Sequence, residues 1–254
     1  MEVEREAVTE VGPLYGRHPV LELLRSGARR ADEVAVLADS QGPLREIIAL
    51  ARQAGVKVSF RTREQLSAMA GSPHHQGVVA RVSEADYVRL NDLLRLPGAR
   101  DQAALFLALD QVQDPRNLGA LLRTAEVLGV HGVIIPRHRA VGLTGAAARV
   151  ATGALELVPV ARAGNLVAAL GTLKQAGVWV YGATPHGGIA AWEADFRRPV
   201  CIVLGGEGGG LRPLVARTCD VLLTVPMLGS LGSLNVGAAG AVLCYEVLRQ
   251  RAPH

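Results

Sequence analysis

Three short strings set polar or charged side chains among residues with little side chain of their own. In LGGEGGGL (204–211), Glu207 is a carboxylate enclosed by five glycines. A ligand can approach bare backbone there and still meet a hydrogen-bond acceptor. In DPRNLGALLRT (114–124), Arg116 and Asn117 stand at a helix start and Arg123 follows six positions after Asn117. Asn117 suits the N-cap. Arginine beside a helix N-terminus suits phosphate, because guanidinium and free backbone N–H groups converge on one anion. A solvated surface arginine is the plain alternative. In SLN (233–235), Ser233 or Asn235 can cap the helix VGAAGAVLCYEVL, and the glycines before it leave backbone groups open to a ligand.

Other chemistries fit poorly. The glycines of 204–211 do not fall at the G-x-G-x-x-G spacing, and the G-K-[ST] ending of a phosphate-binding P-loop is missing, which weakens a dehydrogenase reading. A simple turn explains the glycine cluster taken alone. His74-His75 has no carboxylate or cysteine at ligand spacing, so no metal is expected and a turn or RNA-facing loop is the better reading. No G-x-S-x-G elbow appears, which argues against a hydrolase triad. Cys201, Cys219 and Cys244 are scattered and unpaired, the pattern of reduced, buried thiols in a cytoplasmic protein. The start MEVEREAVTE is acidic, unlike a signal peptide, and no apolar run is long enough to span a membrane.

The elements that must position these residues follow from composition and periodicity. With 49% hydrophobic and only 4% aromatic residues, the core rests on Val, Leu, Ile and Ala. The net charge of +4 permits an anionic partner without proving one. Residues 1–10 read as a flexible tail. Residues 11–84 alternate helix and strand: YGRHPVLELLRSG is a helix, EVAVLAD a strand, GPLREIIALARQAG a helix, VKVSF a strand, TREQLSAMAG a helix capped by Thr62, and GVVARV a strand. Pro97-Gly98 and mixed charges mark 85–103 as a linker. From 104 to 254, the apolar strands ALFLALD, GVIIP, VWVYGA, CIVLGG and VLLTVP alternate with helices, which implies a parallel sheet covered on both faces. Ligands in such sheets sit beyond the carboxyl ends of the strands.

Taken in order, DPRNLGALLRTAEVLGVHGVII, IVLGGEGGGL and LTVPMLGSLGSLNVGAAGAVLCYE resemble the SpoU (TrmH-type, SPOUT) family of S-adenosylmethionine-dependent RNA ribose 2′-O-methyltransferases over about residues 104–250. The preceding unit, with YGRHPVLELL and HHQGVVA, resembles the small ribosomal-protein-like RNA-binding domain of the rRNA-modifying members. The closest pattern is that of members that methylate a guanosine ribose of 23S rRNA; a tRNA methylase and a non-catalytic RNA-binding protein of the same fold are the rivals. The resemblance implies an α/β fold with a C-terminal trefoil knot, a homodimer through the knotted domain, and S-adenosylmethionine (AdoMet) as methyl donor. It implies AdoMet contacts at Gly205, Gly206, Val225, Met227 and Leu234. It implies catalytic roles for Arg123, Asn117, Glu207, Ser233 and Asn235. RNA contacts are expected at Arg17, His18, His75, Gln76 and Arg116. Arg123 matches the arginine proposed in the family as a base; a guanidinium that stays protonated is better suited to hold the target phosphate and a developing alkoxide. The family often has Ser after SLNV where this chain has Gly237, a departure expected to loosen the helix cap or remove a hydroxyl near the site without changing the reaction class.

Overall fold

The computed structural model describes residues 13–27, 31–39, 41–82, 87–99, 102–151, 153–230 and 232–252, so the expected N-terminal tail lies outside the described residues. The alternating first unit forms a four-stranded sheet of β1 (Leu14–Tyr15), β2 (Ala31–Leu37), β3 (Lys57–Arg61) and β4 (Val78–Val82), ordered β1-β4-β2-β3. β2 and β3 run parallel, joined through the helix α2 (Gln41–Gln53); β4 is antiparallel to both β1 and β2. The other helices are α1 (Arg17–Ser26), ended by Gly27 at φ 61°, and α3 (Arg63–Ala70). Thr62 caps α3 as expected: its hydroxyl accepts from the Gln65 N–H, and the Gln65 side chain accepts from the Thr62 N–H.

Within the segment expected as a linker, residues 87–99 are structured. They include α4 (Leu90–Ala99), and Val88 bridges to Ala161 on the edge of the second sheet. Leu93 is fully buried over Gly132, where a Cβ would run into its side chain. Apolar anchoring at i and i+3 outweighs Pro97, which lacks the N–H that would donate to the Leu93 carbonyl.

The second unit contains β5 (Leu105–Asp110), α5 (Pro115–Val127), β6 (Gly132–Pro136), α6 (Gly145–Ala151), β7 (Val160–Ala163), α7 (Leu166–Gln175), β8 (Trp179–Ala183), β9 (Ile189–Ala190), β10 (Val200–Gly205), α8 (Pro213–Thr218), β11 (Val221–Thr224) and α9 (Val236–Arg251). The seven strands are all parallel, in the order β7-β6-β5-β10-β8-β11-β9. Every residue of β5 is buried. Leu105, Leu107 and Leu109 enter one core with α5 and α9, while Phe106 and Ala108 enter the other with α7. This is the two-sided burial that continuous apolar strands demand. The short α6, β7 and β9 add to the expected elements.

The first unit mounts on the second through α6. A Cβ at Gly119 of α5 would meet Val150 and the Ala147 backbone, so α5 and α6 pack backbone to backbone. α6 then contacts β1, and Gly153 lies against the Glu22 side chain of α1. Leu14 and Val20 share a continuous core with Leu121 and Ala147. Cys201 and Cys244 are buried and Cys219 is half-buried; all three thiols are free. Burial pushes the Cys219 and Cys244 thiols up to about 12, which leaves neither as a thiolate nucleophile. Among the described residues, no helix is long and apolar enough to cross a membrane.

Candidate active site at the carboxyl ends of the sheet

The cleft begins where β5 and β10 end side by side, with Gly205 in register with Asp110. After Gly205 the chain makes a tight loop closed by an antiparallel bridge between Gly206 and Gly210, with Gly208 at φ 82° and Gly210 at φ 62°. Two of its glycines are dictated by space. A Cβ on Gly205 would run into the Gly210 backbone, and one on Gly206 into the carbonyl of Gln111. The Gly206 N–H donates to the Asp110 carbonyl at 2.8 Å, which fastens the loop to β5.

The loop walls a cleft of about 740 Å³, a size suited to a small-molecule cofactor. Gly205, Gly206, Val225, Met227 and Leu234 all line it, as do Glu207, Ser233 and Asn235. Thr184 and Pro185, from the end of β8, form part of the wall and were not singled out in the sequence. Backbone edges, apolar Val225, Met227 and Leu234, and a few polar groups match what a nucleoside with a charged tail requires. Among the described residues no cluster of three His, Cys, Asp or Glu side chains is placed to hold a metal.

A side-chain relay crosses the cleft rim. The Asn117 amide donates to Glu207, and the Asn235 amide donates to Asn117 Oδ1 at 3.0 Å. Asn235 also caps α9: its Oδ1 accepts from Gly237 N–H at 2.9 Å and Ala238 N–H at 3.4 Å. The cap is therefore intact with glycine at 237. A Cβ there would sit 3.1 Å from Asn235 Oδ1 and 3.4 Å from Ala120, so α9 approaches α5 closely at this point.

Asn117 is not the cap of α5. Asp114 is, accepting from the Arg116 N–H at 2.8 Å, with Pro115 at the first helical position. Proline there loses no hydrogen bond and presets φ, so the helix starts before Asn117 and frees its amide for the relay. Arg116 is exposed and turns back onto Asp114, with Nη2 at 2.7 Å from the carboxylate. That hydrogen bond holds the Asp114 carboxyl below its usual range.

Asp110 and Arg212 escaped the sequence reading. Asp110 is fully buried at the end of β5 and accepts from Arg212 Nε at 2.7 Å and from the Arg212 N–H at 2.8 Å. The pair pins β5 to the start of α8 beneath the glycine loop. An acidic residue ending an apolar strand was the visible signal; its partner lies 102 positions away.

Arg123 is exposed on α5 and does not line the cleft. Among the described residues it makes no hydrogen bond or ion pair with the relay. On the first unit, Arg17, His18 and Gln76 are exposed together. Gln76, at φ 54°, accepts from the Arg17 N–H at 3.0 Å through Oε1 and from Arg17 Nε at 3.4 Å through its carbonyl. His75 corrects the expectation of an RNA contact. Its ring is fully buried, Nδ1 accepts from the Gly77 N–H at 3.0 Å, and Nε2 is buried without a partner. The ring shapes the turn that presents Gln76 and has no face to offer a ligand.

Two family models match the chain and decide the family. The SpoU rRNA methylase model matches residues 104–245, and the model for RNA 2′-O ribose methyltransferase substrate binding matches residues 13–88. The chain belongs to the SpoU family. As a member it is an AdoMet-dependent RNA ribose 2′-O-methyltransferase. It is 42% identical over 240 residues to a 23S rRNA (guanosine-2′-O-)-methyltransferase RlmB of Ralstonia nicotianae, covering 94% of this chain and 96% of that one. It is 38% identical over 245 residues to a putative TrmH family tRNA/rRNA methyltransferase, YacO, of Bacillus subtilis, covering 94% and 96% of the two chains. Among solved structures, the SpoU methyltransferase AviRb of Streptomyces viridochromogenes, in complex with the cofactor AdoMet, superposes with a TM-score of 0.80 at 25% identity, covering 95% of this chain and 91% of that one.

Proposed function

We propose that this SpoU-family protein methylates the ribose 2′-hydroxyl of a guanosine in 23S rRNA, and that it works as a homodimer in the cytoplasm. The observation that carries the reading is the Asn235–Asn117–Glu207 relay at the rim of a glycine-walled cleft. The substrate class is supported by the relative of Ralstonia nicotianae and by the separate RNA-binding unit ahead of the catalytic one.

AdoMet, when bound, supplies an electrophilic methyl group on a sulfonium. The chain's task is to bring a weak nucleophile into line with it. Such alignment can be worth on the order of 7–11 kcal/mol. Glu207, held by Asn117, is the acceptor at the cleft mouth, and Ser233 and Asn235 fix the opposite lip. In this reading Gly205, Gly206, Val225, Met227 and Leu234 hold the donor, and residues 225–230 and 232–235 close it in through the family's trefoil knot.

Arg123 acts from a second copy. Arg116, Arg123 and Val127 share one exposed stripe of α5 by helical spacing. Beside it, Val242, Tyr245 and Leu248 form an apolar stripe on α9. A two-fold partner covering both stripes would carry Arg123 toward a neighbouring rim, where a guanidinium can hold the target phosphate and the developing alkoxide.

The test is transfer of labelled methyl from AdoMet to unmodified large-subunit rRNA and to unmodified tRNA, read as alkali-resistant linkages. Label at one linkage of rRNA is the expected result. Label in tRNA alone overturns the substrate, and no label in either overturns the reaction. Arg123→Ala should abolish transfer and spare AdoMet affinity; equal loss of both removes Arg123 from its role.

A further inference from the structure

The loop that leaves β6 carries Arg137, His138 and Arg139 in succession, all three exposed, and Arg162 is exposed at the end of the neighbouring β7. None of these residues belongs to the relay or to the cleft wall. Because β6 and β7 are parallel to β5, the four side chains stand at the same carboxyl edge of the sheet as Asp110 and the glycine loop.

The loop is fastened on both sides of Arg139. The Arg137 N–H donates to the Ala163 carbonyl at 2.8 Å, and Arg162 Nη2 donates to the Arg137 carbonyl at 3.2 Å. The Val141 N–H donates to the Val112 carbonyl at 3.0 Å, which ties the loop to the segment leading into Asp114 and Asn117. The Leu143 N–H donates to the Tyr87 hydroxyl at 3.0 Å, and the Arg162 guanidinium lies 5.1 Å from the Tyr87 ring centre. Arg139 itself is held at φ 59°, a left-handed conformation unfavourable for a residue with a Cβ. A strained, exposed, cationic residue on a well-anchored loop is poorly explained by folding alone.

Its position supplies the explanation. On one side the loop runs into α6, which contacts β1 of the RNA-binding unit. On the other it is bonded to the segment that carries the relay. Among the described residues, Asp110 is paired with Arg212 and Asp114 with Arg116, so these two carboxylates are already matched by other cations.

We infer that Arg137, His138, Arg139 and Arg162 form a phosphate-binding ridge that holds the backbone of the substrate RNA between the first unit and the methyl-transfer cleft. The ligand is a run of phosphodiesters, recognised by charge and donor placement without base readout. The inference rests on the RNA methyltransferase reading above and gives the RNA a path across the molecule.

Arg139→Gly is the sharpest test, because glycine accepts the left-handed conformation while the charge is lost. With an unmodified large-subunit rRNA transcript, the full-length variant should bind roughly tenfold more weakly, the effect of one lost charge-assisted contact. The dependence of log affinity on log salt should flatten by about 0.7–0.9 per contact removed. Arg139→Lys should keep most of the affinity and slope. AdoMet affinity should be unchanged in both variants, and Tm should hold or rise in Arg139→Gly. If wild type methylates rRNA and Arg139→Gly together with Arg137→Gln leaves affinity and slope untouched, the ridge is overturned and the functional reading stands. Equal losses in Arg139→Lys and Arg139→Gly overturn it as well. If wild type neither binds nor methylates rRNA, the functional reading falls and the ridge falls with it.

Discussion

At the cleft, the shape that meets the ligand is made of backbone: Gly205 and Gly206 stand where any Cβ would collide with main-chain atoms. At the end of the first unit the reverse holds. Arg17, His18 and Gln76 present side chains to solvent, and what lies behind them is a turn built on the buried His75. Main-chain atoms cannot rotate aside, so the cleft should respond to substitution in an all-or-none way. Exposed side chains are individually replaceable, and the RNA-facing end should respond by degrees.

The largest effect expected from this contrast is at Gly206. In Gly206→Ala the new Cβ meets the Gln111 carbonyl, and overpacking of this kind costs about 1–3 kcal/mol. Tm should drop by several degrees and AdoMet binding should be lost, as calorimetry of the apo protein and titration with AdoMet would show. Gly209 is the control within the same loop, since a Cβ there meets nothing within 4 Å. Gly209→Ala should melt as wild type does. Equal behaviour of the two variants would remove the claim that main-chain closure at 206 shapes the cleft.

A middle-sized effect belongs to Asn117, which joins the two regimes: a side chain whose job is to hold another side chain in place. Asn117→Ala removes the donor to Glu207 and the acceptor for Asn235. Methyl transfer should slow about a hundredfold, the scale of losing one positioned polar group in an active site. AdoMet affinity should stay within about threefold, because the donor pocket itself is left whole. Loss of AdoMet affinity in parallel with kcat would make Asn117 a strut for the cleft.

Such a split between residues readable and unreadable runs through the whole chain. The glycine string at 204–211 and SLN at 233–235 were legible because close approach and capping demand particular residue types. The strands of the large sheet were legible because they are apolar on both faces. By contrast β7, β9 and α6 are four, two and seven residues long, too short to establish a period. The helix at 90–99 was hidden behind Pro97, whose cost depends on how far along the helix it falls. Asn117 was misplaced as a cap because two good candidates stood three positions apart, and only the proline at 115 favours Asp114. The Asp110–Arg212 pair and the trans placement inferred for Arg123 depend on tertiary neighbours that no local pattern encodes.

The smallest effect expected is a pH dependence at the other end of the molecule. Burial, with Arg63 nearby, holds the His75 imidazole below its ordinary value. In the unfolded chain the same ring takes up a proton near pH 6.5. Below that pH, and down to the lower folded value, the unfolded state binds more protons than the folded one. Stability is therefore full above about pH 6.5 and declines as pH falls through this window. Protonation of the folded ring would also turn Nδ1 into a donor facing the Gly77 N–H, so the turn that presents Gln76 loses its fastening. Wild type should lose a few degrees of Tm between pH 7 and pH 5. His75→Asn offers Oδ1 as an acceptor in place of Nδ1 and has no proton to gain, so its Tm should fall less over the same range. If both fall alike, the acid sensitivity lies elsewhere, and the RNA-facing end is held by something other than this buried ring.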